Sequence, residues 1–262
     1  MHPTLPLFNA ALTADLIAER TLRLGTSLTV LRQTTSTNDL GLQAARSGGP
    51  HGATFVAEEQ TRGRGRQGRV WTSPPGQGLT FSVLLRLTAP IERVSGLPLM
   101  VGLSVREAVA HRVVQPTGIK WPNDIVCQHQ KLAGILVESL VRGDELEAVV
   151  VGIGVNVHLP VPENLPVPAT SLARLGAEQL GREKLLVDVL ETLEYRLPKF
   201  ETAGLAPFLD ELEKYNVLRG HRVRVGELEG RAEAIAPSGA LFVLADDGRQ
   251  HRIHAGTVQI VP

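Results

Sequence analysis

The chain has 262 residues, 43% of them hydrophobic and 21% charged, enough for one large domain or for a catalytic domain with a smaller companion. Lys plus Arg and Asp plus Glu both number 27, so the formal net charge is zero, and the basic excess of a protein that grips nucleic acid over a wide surface is missing. The single cysteine, Cys127, excludes an internal disulfide and a cysteine-rich metal site; with no Ser, His or Asp pattern beside it, it reads as a small apolar filler rather than a nucleophile.

In chain order, residues 1–11 lack the basic start and long apolar core of a signal peptide, and the longest apolar runs, such as 148–153, are far too short for a membrane span. A cytoplasmic location is therefore expected. Thr13 is a candidate cap for a first helix running to about Leu24 and ended by Gly25. A short strand over 28–31 precedes a helix capped at Ser36-Thr37-Asn38-Asp39 and stopped at Gly48-Gly49. Residues 53–57 read as a strand, 79–87 as an alternating one with Phe81, Val83 and Leu85 on one face, and 97–114 as a helix. Strands follow at 119–121, 125–128 and 132–140, the last two joined as a hairpin through His129-Gln130. A strand over 146–157 leads to a Pro-rich loop at 159–168, then to helices over 182–197 and 205–215. From Gly220 onward five short runs, separated by Pro237-Ser238-Gly239 and Asp246-Asp247-Gly248, predict a small β-barrel. The expected division is 1–217 and 218–262.

Four segments carry candidate chemistry. In Gln60 to Arg69, four arginines alternate with three glycines; glycine lets backbone approach a ligand, and arginine offers a forked cation that fits carboxylate and phosphate. Such a loop can wrap a small anion, or serve as a solvated basic loop or a nucleic-acid patch. It is not a P-loop, since the Lys-[Ser/Thr] ending is missing. Lys120-Trp121-Pro122-Asn123-Asp124 is either a plain turn or a site corner in which Asp124 holds Mg²⁺ or orients a nucleophile. In Lys131-Leu132-Ala133-Gly134-Ile135-Leu136-Val137-Glu138, a cation opens an apolar strand with room beside it. The chain has five lysines, and two of them, Lys120 and Lys131, fall in this one region. Gly152-Ile153-Gly154-Val155-Asn156 implies a bulge or a close approach of a ligand to the backbone. The eight histidines show no zinc-helix spacing, and His251 and His254 read as strand or surface residues.

The order of these motifs, from Ser36-Thr37-Asn38 through the Gly-Arg loop with Trp71, Lys120–Asp124, Lys131–Glu138 and Gly152–Asn156, resembles the biotin protein ligase family over roughly residues 30–160, and more weakly over the C-terminal barrel. The resemblance implies an α/β (α+β) fold, a mixed sheet flanked by helices followed by an SH3-like barrel. It implies an enzyme that joins biotin and ATP, with Mg²⁺, to biotinyl-5′-AMP and passes the biotin to a lysine of a biotin carboxyl carrier protein, with no tightly bound cofactor.

Position by position, the resemblance places Ser36, Thr37 and Asn38 at the biotin ring head, Gln60 at a biotin contact, and Gly63, Arg64, Gly65 and Arg66 in the loop closing over biotin and its adenylate. Lys131, Arg64, Arg66 and Asp124 are the implied catalytic set. Lys131 neutralises carboxylate and α-phosphate, Asp124 prepares the incoming amine, and Gly134 lies by the ligand. On the nucleotide side it places Arg66, Arg69, Trp71, Lys120, Asn123, Asp124, Lys131, Gly152, Gly154 and Asn156, with Mg²⁺ carried by the ATP phosphates or by Asp124. Some relatives carry a winged-helix repressor domain. Only about 35 residues precede Ser36 here, too few for a three-helix DNA-binding unit, so specific DNA binding is not expected. Where some relatives place an arginine near the chain end, Ile253-His254-Ala255-Gly256 stands here. A homodimer through sheet edges is expected. The rival readings are a lipoate or octanoate ligase or transferase of the same fold, and a non-catalytic biotin-sensing protein.

Overall fold

The computed structural model of the protein describes residues 7–72, 74–160, 167–179 and 181–261. His2, and residues 161–166 of the Pro-rich loop, lie outside the described residues. Helix α1 (Ala10–Glu19) is capped by Asn9, whose side chain accepts from the Leu12 N–H at 3.0 Å. The expected cap, Thr13, is instead inside the helix and buried, its hydroxyl donating to the Asn9 carbonyl at 2.9 Å. The helix also stops short of Leu24, because Thr21 turns to positive φ.

The larger sheet contains β1 (Leu28–Thr34), β2 (Thr54–Gln60), β3 (Gly78–Leu85), β4 (Thr117–Lys120), β5 (Asp124–Cys127), β6 (Gln130–Arg142) and β7 (Glu145–Asn156), in the order β1-β2-β3-β7-β6-β5-β4. Only β1 and β2 run parallel. Because side chains alternate along a strand, the central strands serve two faces. Phe81, Val83, Val151, Ile153 and Val155 join the main core with α3 (Leu97–Ala110) and α4 (Arg182–Ala203). Leu84, Ala148 and Val150 form a smaller cluster with Ala45 of α2 (Thr37–Arg46) on the opposite face. The alternation seen in β3 therefore does not mark a solvated face; all eight of its residues are buried, because both faces of this central strand are covered.

The β5–β6 hairpin turns on Gln128-His129, one residue earlier than expected. Both residues have positive φ, as a two-residue hairpin of the primed type requires, and Cys127 pairs with Gln130. Gly152 and Gly154 make no bulge, since β7 pairs with β3 and β6 in unbroken register through both. The expected helix over 205–215 is split: Pro207 sits in a 3₁₀ turn over 206–208, and α5 (Leu209–Tyr215) follows.

A second, fully antiparallel sheet contains β8 (Arg222–Val225), β9 (Leu228–Ile235), β10 (Leu241–Ala245), β11 (Gln250–Ile253) and β12 (Val258–Ile260), in the order β11-β10-β9-β8-β12. It is fastened to the larger sheet's end by the Trp121 indole, which donates to the Gly239 carbonyl at 2.8 Å, and to the 3₁₀ turn before α3 by Ser95, which donates to the Ser238 carbonyl at 2.8 Å.

Glu58 at the end of β2 is buried against Arg182 at 2.7 Å and also accepts from the backbone of Phe8 and Gly76. Burial alone would push this carboxyl up; the Arg182 hydrogen bond, the Phe8 N–H, the Arg182 charge and the Gly76 N–H together hold it below its ordinary value near 4.5. A lowered carboxyl contributes stability that is complete above the ordinary value and fades as pH falls through the lowered one. Replacing Glu58 with Ala should cost about 3–5 kcal/mol in urea unfolding at neutral pH, because it strands buried donors. The variant should also lose this part of the acid dependence; equal unfolding midpoints for variant and wild type would contradict the pairing.

Candidate functional site

The uncovered part of the sheet's α2 face opens into a cavity of about 750 Å³. Its walls are set by what the strands lack. A Cβ on Gly152 would lie 2.3 Å from Oδ1 of Asn38, and one on Gly154 would lie 2.3 Å from the Trp71 indole. Where a ligand was expected to approach these glycines, the protein's own side chains do so. Gly134, paired with both Gly154 and Asp124, likewise leaves room for the Lys131 side chain and Trp71.

One end of the cavity is neutral and polar. Ser36 caps α2 by accepting from the Asn38 N–H at 3.3 Å. The backbone N–H of Thr37 donates to Gln60 Oε1 at 2.7 Å. Ser82 Oγ stands 2.7 Å from Thr37 Oγ1 and 2.6 Å from Asn38 Oδ1, and Asn38 Nδ2 donates to Glu138 at 2.6 Å. The amide of Asn38 is thus taken up by protein partners, although the residue lines the cavity.

The other end is charged. Lys131 Nζ lies 2.7 Å from Asp124 Oδ1 and 5.6 Å from the centre of the Trp71 ring. Asn123 is pinned by donating to the Ile135 carbonyl at 2.7 Å, and its Oδ1 is 3.5 Å from Arg66. Burial, offset in part by Asp124 and reinforced by Arg69, lowers the Arg66 guanidinium from its ordinary value. Asn156 donates to the Thr170 carbonyl at 3.0 Å and closes the floor.

The Gly-Arg loop is held from two sides. Burial works against the Arg64 charge, but hydrogen bonds and charge from Asp39 and Glu138 outweigh it and raise the guanidinium above its ordinary value. The contacts are 2.7 Å to Asp39 and 3.1 Å to Glu138. Farther along, Arg69 donates to Thr257 Oγ1 at 2.6 Å, and that hydroxyl donates to Gln67 Oε1 at 2.9 Å, joining the loop to the second sheet. The turn between them uses Gln67 and Gly68, both at positive φ. Gly63 does not line the cavity; its place is backbone packing, since a Cβ there would meet the Trp71 carbonyl at 2.3 Å.

Of the other residues singled out from sequence, Gly65 and Arg69 also line this cavity. Lys120 does not; it lines an adjoining cavity of about 620 Å³ between the β4–β5 corner and the second sheet, which shares Arg66, Arg69, Asn123 and Asp124 with the first. Burial, with Lys131 and Arg69 nearby and Asp124 opposing, lowers the Lys120 ammonium from its ordinary value. Sequence reasoning gave no role to Asp39, Ser82, Glu138 or Thr257. For Glu138 a signal existed: with Gly134 and Leu136 it occupies alternate positions of one strand. For Thr257 there was none, because its partners are some 190 residues away.

Residues 30–156 match the biotin/lipoate A/B protein ligase family, and residues 220–261 match the biotin protein ligase C-terminal domain. The biotin–[acetyl-CoA-carboxylase] ligase of Mycobacterium tuberculosis is 36% identical over 227 residues, covering 85% of this chain and 81% of that protein. The chain belongs to the biotin protein ligase family. The bifunctional ligase/repressor BirA of Bacillus subtilis is 30% identical to this family member over 258 residues, covering 93% of this chain and 79% of the relative. Among solved structures, a biotin protein ligase from Aquifex aeolicus in complex with biotin and ATP superposes with a TM-score of 0.77 at 32% identity, covering 90% of this chain and 99% of the other.

In this ligase-family chain, Gly154→Ala should push the Trp71 indole off β7, shift tryptophan emission to the red and cost about 1–3 kcal/mol of stability by overpacking. Unchanged emission and an unchanged urea midpoint would show that Trp71 does not rest on Gly154.

Proposed function

We propose that this protein is a biotin protein ligase that activates biotin with ATP to biotinyl-5′-AMP and transfers the biotin to a lysine of a biotin carboxyl carrier domain. The observation that carries the reading is one cavity with a neutral hydrogen-bonding end at Ser36, Thr37 and Gln60 and a cationic end at Lys131, Arg66 and Arg69. Such a cavity fits a ligand with an uncharged polar ring at one end and a carboxylate at the other. Two relatives bear the biotin–[acetyl-CoA-carboxylase] ligase name, and the Aquifex structure holds biotin and ATP.

In the first step a carboxylate oxygen of biotin attacks the α-phosphorus and pyrophosphate leaves. Two anions must meet, and Lys131, Arg66 and Arg69 supply compensating charge at that end of the cavity. Lys131 exchanges Asp124 for the carboxylate and phosphate oxygens. In the second step the carrier lysine, having lost its proton to Asp124, attacks the acyl carbon and AMP leaves. The Trp71 indole offers a face for adenine, and the loop from Gly63 to Arg69 keeps water from the mixed anhydride. Among the described residues no group of three His, Cys, Asp or Glu side chains is placed to hold a metal. Mg²⁺ bound with ATP would offset the phosphate charge, and Asp124 and Asn123 are the side chains that would supply it with protein oxygens.

The lipoate reading is disfavoured by the ring end, because a dithiolane has no use for the donors and acceptors of Ser36, Thr37 and Gln60. No helix among the described residues is long and apolar enough to cross a membrane. If two copies pair through sheet edges, β1 is the edge available, since residues 216–217 bond along β4 at Ile119.

Incubated with biotin, ATP, Mg²⁺ and an apo carrier domain, the protein should add one biotin to the carrier, read as intact mass; a gain with lipoate alone would overturn the assignment. Lys131→Ala should slow adenylate formation about a hundredfold while leaving biotin binding by calorimetry within a few fold. Unchanged turnover in that variant would remove Lys131 from the mechanism.

A further inference from the structure

Thr37, Ser82, Asn38 and Glu138 form a chain of hydrogen bonds from the cavity wall to a carboxylate on β6, and its direction follows from the chemistry of its last member. A carboxylate can only accept, so the side of the Asn38 amide facing Glu138 must be its NH₂ group, 2.6 Å away. That turns the amide oxygen toward Ser82 Oγ at 2.6 Å, and a carbonyl oxygen can only accept. Ser82 has one proton, and it goes to Asn38. The remaining contact, Ser82 Oγ to Thr37 Oγ1 at 2.7 Å, must then be donated by Thr37, in preference to the longer contact from the same hydroxyl to Gln60 Oε1 at 3.2 Å.

All three neutral members are almost wholly buried, Ser82 at 0% and Thr37 and Asn38 at 2% exposure, so water does not scramble the order. The Asn38 amide packs directly on the Gly152 backbone, where a Cβ would stand 2.3 Å from Oδ1. Arg64 donates to the same carboxylate at 3.1 Å, which ties the Gly-Arg loop to the chain's origin.

We infer that Glu138 sets the hydrogen-bond polarity of the ring-head end of the cavity: through Asn38 and Ser82 it commits the Thr37 proton inward, leaving Thr37 Oγ1 as an acceptor for a ligand N–H. Glu138 is a positioning residue, since three side chains separate it from the ligand. The inference rests on the biotin reading above, in which the ureido ring supplies that N–H.

The test is a double-mutant cycle with Glu138→Gln and Ser82→Ala, read by calorimetry with biotin and, separately, with ATP. Gln is isosteric with Glu but can donate as well as accept, so it no longer dictates the Asn38 orientation, which then rests on the weaker contact from Asn38 Nδ2 to the Leu136 carbonyl at 3.4 Å, and the chain can reverse. Glu138→Gln should weaken biotin about tenfold, the equivalent of one lost hydrogen bond, with ATP affinity changed less than about twofold. Once Ser82 is Ala the chain is cut, and adding Glu138→Gln should weaken biotin no further. Additive losses would assign the effect of Glu138 to Arg64 or to general packing and overturn the inference, as would unchanged biotin affinity in Glu138→Gln. Wild-type protein that gives no binding heat with biotin would overturn the ligase reading and the inference together.

Discussion

Gly152 and Gly154 leave two gaps on the same face of β7, and the protein fills them with the Asn38 amide and the Trp71 indole. Everything at the site is arranged around those two close approaches. Asn38 brings the N-terminus of α2 down onto the sheet, and with it the neutral polar cluster at Ser36, Thr37 and Gln60. Trp71 brings the far end of the Gly-Arg loop down beside Lys131. The cavity is the space left between the two, roofed by the loop and floored by strand backbone. A side chain at either position would lift one wall off the sheet, and close-packed interiors have little room to absorb such a shift.

Charge is distributed with the same asymmetry. Arg64 is neutralised by Asp39 and Glu138, so it acts here as a strut between loop, α2 and β6. Lys131 is paired with Asp124, while Arg66, Arg69 and Lys120 gather around the passage between the two cavities. The lowered Arg66 and Lys120 reflect cations partly removed from water, with like charges nearby adding a smaller push, a state that an incoming polyanion relieves. The second sheet takes part through Thr257, which holds Arg69 and Gln67, so the C-terminal unit touches the Gly-Arg loop.

How much of this was legible in the sequence depends on the range of the interaction. The helices and strands around the site follow from local patterning, and the order of short motifs led to the family. The errors share one cause, that local signals do not carry burial. Thr13 looks like a cap because it is polar and well placed, yet Asn9 lies where the chain enters the helix. The hairpin turn falls on Gln128-His129 because the pairing register of β5 and β6 fixes it, and neither residue advertises positive φ.

The sequence by itself determined the class of fold, the presence of a Gly-Arg loop, and the candidate cations and polar head residues, because these rest on residue chemistry and short spacing. Only the tertiary structure decided which of those residues line the cavity and which serve one another. Arg64 turned out to be paired, Asn38 to be fully engaged, Lys120 to belong to a second cavity, and Gly152 and Gly154 to be seats for Asn38 and Trp71. The reason is physical: each of those outcomes depends on a partner tens to more than a hundred residues away, brought within 2–4 Å by strand register that no local pattern encodes.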